Sequence, residues 1–358
     1  MKKIDSYIFR KFLGTFFFSI SLIIIIVIVF DISEKIEDFI QKQAPLKAIV
    51  FDYYLNFVPY FVNLFSPLFT FIAVIFFTSR MAARTEIVAI LSSGISFKRM
   101  LLPYFCAASV LALLSIYLNN SVIPEANKRR LDFENKYIFV PYRNQDINIH
   151  RQIEPGTFIY MERYNNIENT GYKFSLEKFD AGKLYYKLFS ETIKWDSVLH
   201  KWEIKNYYAR TIANMNEIIN KGQKLDTTLN FLPKDFERKL GNIEAMNFEE
   251  LNNFIEQEKM RGAGNIELYE IEKYRRIAFP FSTFILTLIA VSLASQKVRG
   301  GTGLHIGLGL LISFSYILFM QISTTFAAGG IIAPYIAVWI PNILYSFLAG
   351  YLFVKAPK

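Results

Sequence analysis

Residues 79–100 read SRMAARTEIVAILSSGISFKRM, a polar stretch between two long apolar runs. It is too charged to lie in hydrocarbon and too short to fold as a domain. A chain that crosses a membrane, forms one small helix and turns straight back accounts for both properties. Working outward, six segments are long enough to cross about 30 Å of hydrocarbon. They lie at 12–31, 50–78, 100–123, 277–296, 304–326 and 334–354. The second contains Asn56, Pro59, Asn63 and Pro67. The backbone groups freed by its prolines need partners on neighbouring helices.

Composition agrees. Of 358 residues 53% are hydrophobic, with 35 Phe, which excludes an ordinary soluble protein. Residues 125–276 carry 25 Lys and Arg against 24 Asp and Glu, so nearly all of the net charge of +9 flanks the apolar runs. That is a topology signal, and no nucleic-acid partner is expected. A single cysteine, Cys106, in an apolar run forms no internal disulfide and supports no metal cluster. Three scattered histidines, His150, His200 and His305, give no ligand set. Cys106 and His305 read as packing residues, and neither metal nor cofactor is expected. MKKIDSYIFRK leads directly into an uncharged run, Phe12 to Phe30, read as a retained first span and not as a cleaved signal.

The short connections orient the spans. Lys2, Lys3, Arg10 and Lys11 precede the first; Arg80, Arg84, Lys98 and Arg99 follow the second; Lys297 and Arg299 follow the fourth; Lys355 and Lys358 end the chain. With six spans these fall on one side, so both termini are expected in the cytoplasm. AAGGIIA at 327–333, on the opposite side, carries no charge. The segment between spans three and four then lies outside the cytoplasm. TFIYMERY (157–164), KLYYKLFSETIKW (183–195) and KWEIKNYYARTI (201–212) alternate as strands, rich in aromatic and β-branched residues. WDSVLHKW (195–202) reads as a hairpin connection. The expected fold is a six-span α-helical membrane protein with an inserted antiparallel, jelly-roll-like β-domain. Its parts are 1–124 with a cytoplasmic helix at 84–94, 125–276, and 277–358. Asn247, Glu250 and Gly262 mark the cap, capping box and stop of an amphipathic helix that ends the insert.

Within the opening stretch, Thr85 is placed to cap a helix from Glu86 to about Ser93, with Gly94 beyond its end. At 100° per residue, Ile87, Val88, Ile90 and Leu91 share an apolar face. Ala82, Ala89, Ser92 and Ser93 share a small one, with Glu86 at its edge and Arg84 just before. Small residues permit close approach of another surface, and a carboxylate can be met by a partner's arginine. A connecting helix with a solvated Glu86 and a docking knob for a cytoplasmic protein both fit. No GxxxxGK[S/T] occurs, and GTGLHIGLG (301–309) lacks the Lys-Ser/Thr ending. A motor for active transport would be another chain.

RTEIVAILSSGISFKRML (84–101), YRRIAFPFSTFILTLIAVSLA (274–294), GLHIGLGLLISFSYILFMQIS (303–323) and GIIAPYIAVWIPNILYSFLAGYL (330–352) occur around the order three spans, β-domain, three spans. In these features the whole chain resembles the LptF/LptG permeases of lipopolysaccharide export, with FIYMER (158–163) inclining it to the LptG side. The resemblance implies a non-catalytic subunit. It would pair with an LptF- or LptG-like permease, be driven by an LptB-like ATPase dimer on the short cytoplasmic helix, and continue into an LptC-like periplasmic β-domain. Glu86 maps onto the family's ATPase-facing glutamate, with Arg84, Ala89, Ser92 and Ser93 around it.

For lipid phosphates the resemblance implies basic residues near the outer ends of the spans: Lys35, Lys42, Arg129, Arg130, Arg275 and Arg276. Each also reads as an interfacial topology anchor, and Glu34, Glu37 and Asp38 interrupt the family's lysine pattern. Gly303 and Gly307 form a GxxxG step for close helix packing, within the chain or across a subunit gate. Gln321, mid-membrane, is expected to face inward or to find a hydrogen-bonding partner. Two other classes compete: a permease of another ABC exporter moving peptides or lipoproteins, and an intramembrane lipid-modifying enzyme. The enzyme would need titratable groups at one depth, whereas Asp52 and Glu86 fall at opposite faces.

Overall fold

The computed structural model describes residues 3–138, 147–213, 216–236, 243–260, 266–296 and 301–356. Eight helices are numbered here: α1 (Lys3–Gln41), α2 (Leu46–Ala83), α3 (Glu86–Ser92), α4 (Phe97–Tyr137), α5 (Phe248–Met260), α6 (Ile266–Ala294), α7 (Gly301–Ala328) and α8 (Pro334–Lys355). Six of them, all but α3 and α5, are long and apolar enough to cross a membrane. Contacts divide the chain into two compact units, Met1–Ile138 with Glu244–Glu249 and Glu267–Lys358, and Phe139–Ile243 with Glu250–Ile266.

In the first unit α1 buries a narrow stripe at helical spacing: Ile8, Phe12, Phe16, Ile20 and Ile24. The same core takes in Phe71, Val74 and Ile75 of α2 and Tyr104, Ala107 and Leu111 of α4. The other face of α1 leaves Phe17, Phe18, Leu22, Ile25, Ile26 and Phe30 exposed, as suits a helix that is apolar all round. Side-chain hydrogen bonds tie the helices where hydrocarbon offers none. Asn63 donates to Asn119 at 3.0 Å and accepts from Ser115 at 2.7 Å. Asn342 donates to the Ala278 carbonyl at 3.0 Å and accepts from Tyr316 at 2.9 Å.

Three helices run past their apolar segments. α1 continues to Gln41 through residues expected in a loop, α2 begins at Leu46, and α4 continues to Tyr137. The cause is tertiary. Phe39, Tyr53, Tyr54, Phe57 and Phe133 form a separate buried cluster joining the three extensions. Two π-helical turns, Ile49–Tyr54 in α2 and Leu118–Val122 in α4, lie at the ends of the apolar segments next to these continuations. Asn56 donates from its side chain to the Phe51 and Asp52 carbonyls, both at 2.9 Å, inside the first.

The second unit is built on one antiparallel sheet in the order β1 (Ile147–Glu154), β2 (Thr157–Asn165), β3 (Thr170–Asp180), β4 (Lys183–Asp196), β5 (Lys201–Ala213), β6 (Asn216–Thr227). The jelly-roll-like insert thus takes the form of a six-stranded meander. Residues 197–200 make the β4–β5 hairpin, where Asp196 Oδ1 accepts from the Val198 and Leu199 amides at 2.8 and 3.0 Å. Alternation sorts β2 into buried Ile159 and Met161 against half-exposed Phe158 and Tyr160. The buried face continues through Phe174, Leu188, Ile193, Trp202 and Ile204 and is covered by Phe231 and Phe236. Trp202 Nε1 donates to the Phe231 carbonyl at 2.9 Å. α5 starts immediately after Asn247, as its capping signal implies; Gly262 lies outside the described residues.

Candidate functional site

The connection between α2 and α4 holds α3, seven residues long. Its start differs from the sequence expectation. Thr85 does not cap it: this residue is left-handed, at φ 60°, and its hydroxyl donates to the Arg84 carbonyl at 2.6 Å. α2 runs to Ala83, leaving too little chain for an extended cap, so the reversal is made at Thr85 itself. At the other end Gly94, φ +84°, occupies the backbone region that only glycine adopts freely. Ile87 is buried in the membrane core with Ile90 and Leu91 packed against it, but Val88 points outward, more than half exposed. Ala82 belongs to buried α2 and not to the small face. That face consists of exposed Ala89, Ser92 and Ser93, the serines bonded back to the Ala89 and Ile90 carbonyls. Arg84 is exposed beside it, and Glu86 accepts a hydrogen bond from Tyr7 of α1 at 3.0 Å.

The six candidate cations divide into two kinds. Lys35 sits on Asp31 at 2.7 Å and also donates to the Tyr53 hydroxyl; the Tyr54 hydroxyl donates to the other Asp31 oxygen at 3.0 Å. Arg130 lies 3.6 Å from Glu134 and over the Tyr60 ring. Arg275 and Arg276 both pair with Glu272, at 2.7 and 3.0 Å, and Arg276 also donates to the Met246 carbonyl at 2.7 Å. Lys42 and Arg129, by contrast, are exposed and carry no carboxylate partner among the described residues.

Two of the paired arginines line a cleft with Tyr60, Asn63, Asn119, Glu244, Glu272 and Phe279. Tyr60 donates to Glu244 at 3.1 Å. Burial pushes the Glu244 carboxyl above the usual carboxylate range, and the neighbouring Glu272 adds to the rise. The two arginines share the Glu272 carboxylate, which offsets part of the charge they could offer a further anion. Among the described residues no group of three His, Cys, Asp or Glu is placed to hold a metal ion.

α7 carries the remaining candidates. A Cβ on Gly303 or Gly307 would meet nothing within 4 Å, whereas one on Gly309 would overlap Ile75 Cδ1. The close contact inside this chain is therefore made two residues beyond the GxxxG step. Gln321 is exposed, facing away from the core.

Over residues 6–355 the chain matches the family described as "Lipopolysaccharide export system permease LptF/LptG". The chain belongs to that family. Two relatives bear the name "Lipopolysaccharide export system permease protein LptG", from Escherichia coli strain K12 and from Escherichia coli O6:H1 strain CFT073. Each is 21% identical over 314 residues, covering 85% of this chain and 84% of the relative. The six apolar helices with an inserted antiparallel sheet are thus the architecture of an LptF/LptG permease. For such a permease the sequence reading missed Asp31, Glu134 and Glu272 as partners of its cations. The i, i+4 spacings Asp31–Lys35, Arg130–Glu134 and Glu272–Arg276 were the available signal. Tyr7 and Glu244 reach their partners Glu86 and Tyr60 across more than 75 residues and leave no local sign.

Proposed function

We propose that this LptF/LptG permease is the non-catalytic membrane subunit of an ABC exporter that lifts lipopolysaccharide out of the inner membrane. A second, similar permease completes the lipid cavity. An LptB-like ATPase dimer docks on α3, and an LptC-like periplasmic protein extends the path begun by the β-domain. Both termini and α3 lie in the cytoplasm and the sheet in the periplasm, as the Lys and Arg distribution favours.

The observation that carries the reading is α3. A seven-residue helix anchored by Ile87 turns a face of Ala89, Ser92 and Ser93 outward, with Arg84 and Glu86 at its rim. A small, smooth face with paired charges suits a partner that brings its own arginine and carboxylate. The chain itself contains no phosphate-binding loop. On the other side, Lys42 and Arg129 are the cations most available to lipid phosphates. The paired Lys35, Arg130, Arg275 and Arg276 would join them when their carboxylates are displaced.

The test is affinity purification of the full chain from its native membrane, with mass spectrometry of the proteins and extraction of the lipids. Co-purification of an ATPase with a phosphate-binding loop, a second permease of this family and lipopolysaccharide is expected. An ATPase accompanied by a peptide or lipoprotein cargo, or no ATPase at all, would overturn the reading.

A further inference from the structure

Three membrane helices converge on the α3 connection, and they differ in stiffness. α2 leads into it but carries Pro59, Pro67 and the π turn Ile49–Tyr54. α4 leads out of it but carries Pro103 and the π turn Leu118–Val122. Prolines and π turns are where helices bend. α1 has neither: it is one 39-residue helix. From Tyr7 to Lys35 it rises about 42 Å at 1.5 Å per residue.

α1 is not joined to the connection by the chain, yet it is fastened to both ends of it. The Tyr7 hydroxyl donates to Glu86, the first residue of α3. Asp5, only 6% exposed, takes both guanidinium nitrogens of Arg99 in the first turn of α4, at 3.0 and 2.7 Å. A bidentate pair fixes orientation as well as distance. Between these two contacts Ile8 and Ile87 are buried in the same core. At its far end α1 carries the Asp31–Lys35 pair, bound to Tyr53 and Tyr54.

We propose that α1 is the member that transmits movement of the α3 helix across the membrane, and that Asp5, Arg99 and Tyr7 are the positioning residues that couple it. A displacement imposed on α3 drags the first two turns of α1 through these contacts. The unbroken helix carries it to the Asp31–Lys35 cluster, while α2 and α4 can absorb it at their prolines and π turns. The inference rests on the reading that an ATPase acts on α3.

The test uses the whole complex, with ATPase and partner permease, in proteoliposomes containing lipopolysaccharide. ATP hydrolysis and ATP-dependent release of the lipid to an acceptor are both measured. Asp5→Arg and Arg99→Asp each reverse one charge of the pair and are expected to assemble and hydrolyse ATP while transporting about tenfold less lipid per ATP. The double exchange, Asp5→Arg with Arg99→Asp, re-forms the pair and is expected to restore most of the loss, whereas a merely structural role would show in the single reversals as lost assembly or ATP hydrolysis and not as less lipid per ATP. Single reversals that transport normally, or a double exchange no better than either single, would overturn the proposal. Should the reversals fail to assemble, Tyr7→Phe, which removes one hydroxyl, decides the matter. It is expected to lower lipid moved per ATP about two- to threefold, and unchanged coupling overturns the proposal. A wild-type complex with no ATP-dependent release would instead overturn the transport reading itself.

Discussion

Gly309 of α7 rests against Ile75 of α2 so closely that a Cβ built on the glycine would overlap Ile75 Cδ1. This contact joins a helix of the last three spans to one of the first three. A side chain there must displace the Ile75 side chain or shift α7, with Phe71 already in van der Waals contact at 3.4 Å. Gly309→Leu is expected to destabilise the purified chain by roughly 1–3 kcal/mol, the usual range for overpacking. Gly303→Leu and Gly307→Leu, facing open space, are expected to leave thermal unfolding of the single chain unchanged. Equal effects at all three glycines would contradict this packing.

The Asp31–Lys35 pair carries a separate expectation. Asp31→Asn leaves the Lys35 ammonium without its counter-charge among Tyr53, Tyr54 and Phe39, and is expected to cost roughly 3 kcal/mol or less. Removing both charges, Asp31→Asn with Lys35→Met, is expected to cost less than the single change. Unfolding in detergent followed by tryptophan fluorescence measures the difference, and additive losses would argue against a coupled pair.

Much of this was legible in the sequence. Six apolar runs and period-two alternation at 157–212 are local patterns, and each became the element it implied. Gly94 was readable as a stop because a positive φ leaves few alternatives. The conformation of Thr85 was not, since it depends on how far α2 runs before the chain must reverse. Nor were the extensions of α1 and α4, whose polar sequences give no apolar run; they are helical because Phe39 and Phe133 find Tyr53. Among the candidate site residues, basic character was visible but pairing was not. Of six cations only Lys42 and Arg129 stand exposed without a carboxylate among the described residues, a distinction set by the partners' positions in space.

That distinction predicts unequal roles for the cations. Lys42→Ala and Arg129→Ala together are expected to lower crosslinking to phosphorylated lipid several-fold. Arg276→Ala, whose guanidinium is held by Glu272 and the Met246 carbonyl, should act mainly through stability. Crosslinking and thermal unfolding measured on the same preparations separate the two effects. Loss of crosslinking at Arg276 without loss of stability, with Lys42 and Arg129 silent, would reverse the assignment.

Glu244 gives a pH dependence. Its carboxyl is raised by burial and by Glu272, against the lowering effects of Tyr60, Arg275 and Arg130. The folded state therefore holds its proton to higher pH than the unfolded state does. Between the ordinary glutamate value and the raised one, stability falls as pH rises, because the native form must give up a proton it favours. Glu244→Gln keeps an oxygen to accept from Tyr60 and loses the charge. It is expected to remove this part of the fall and to raise the unfolding temperature at neutral pH. An unfolding temperature with the same pH slope in both proteins would show that Glu244 does not contribute.

The central claim is that ATP hydrolysis by an ATPase docked on α3 sends lipopolysaccharide through the sheet. A photo-crosslinking residue at Ile159 or Met161, on the face of β2 that Phe231 and Phe236 cover and that a passing acyl chain must open, reports it directly when compared with Phe158 and Tyr160 on the other face. In proteoliposomes holding the whole complex, lipid adducts at Ile159 and Met161 should accumulate with time only when ATP is present. They should be few at Phe158 and Tyr160, and vanish with Glu86→Lys. Adducts that form equally without ATP, or equally at all four positions, would contradict the account.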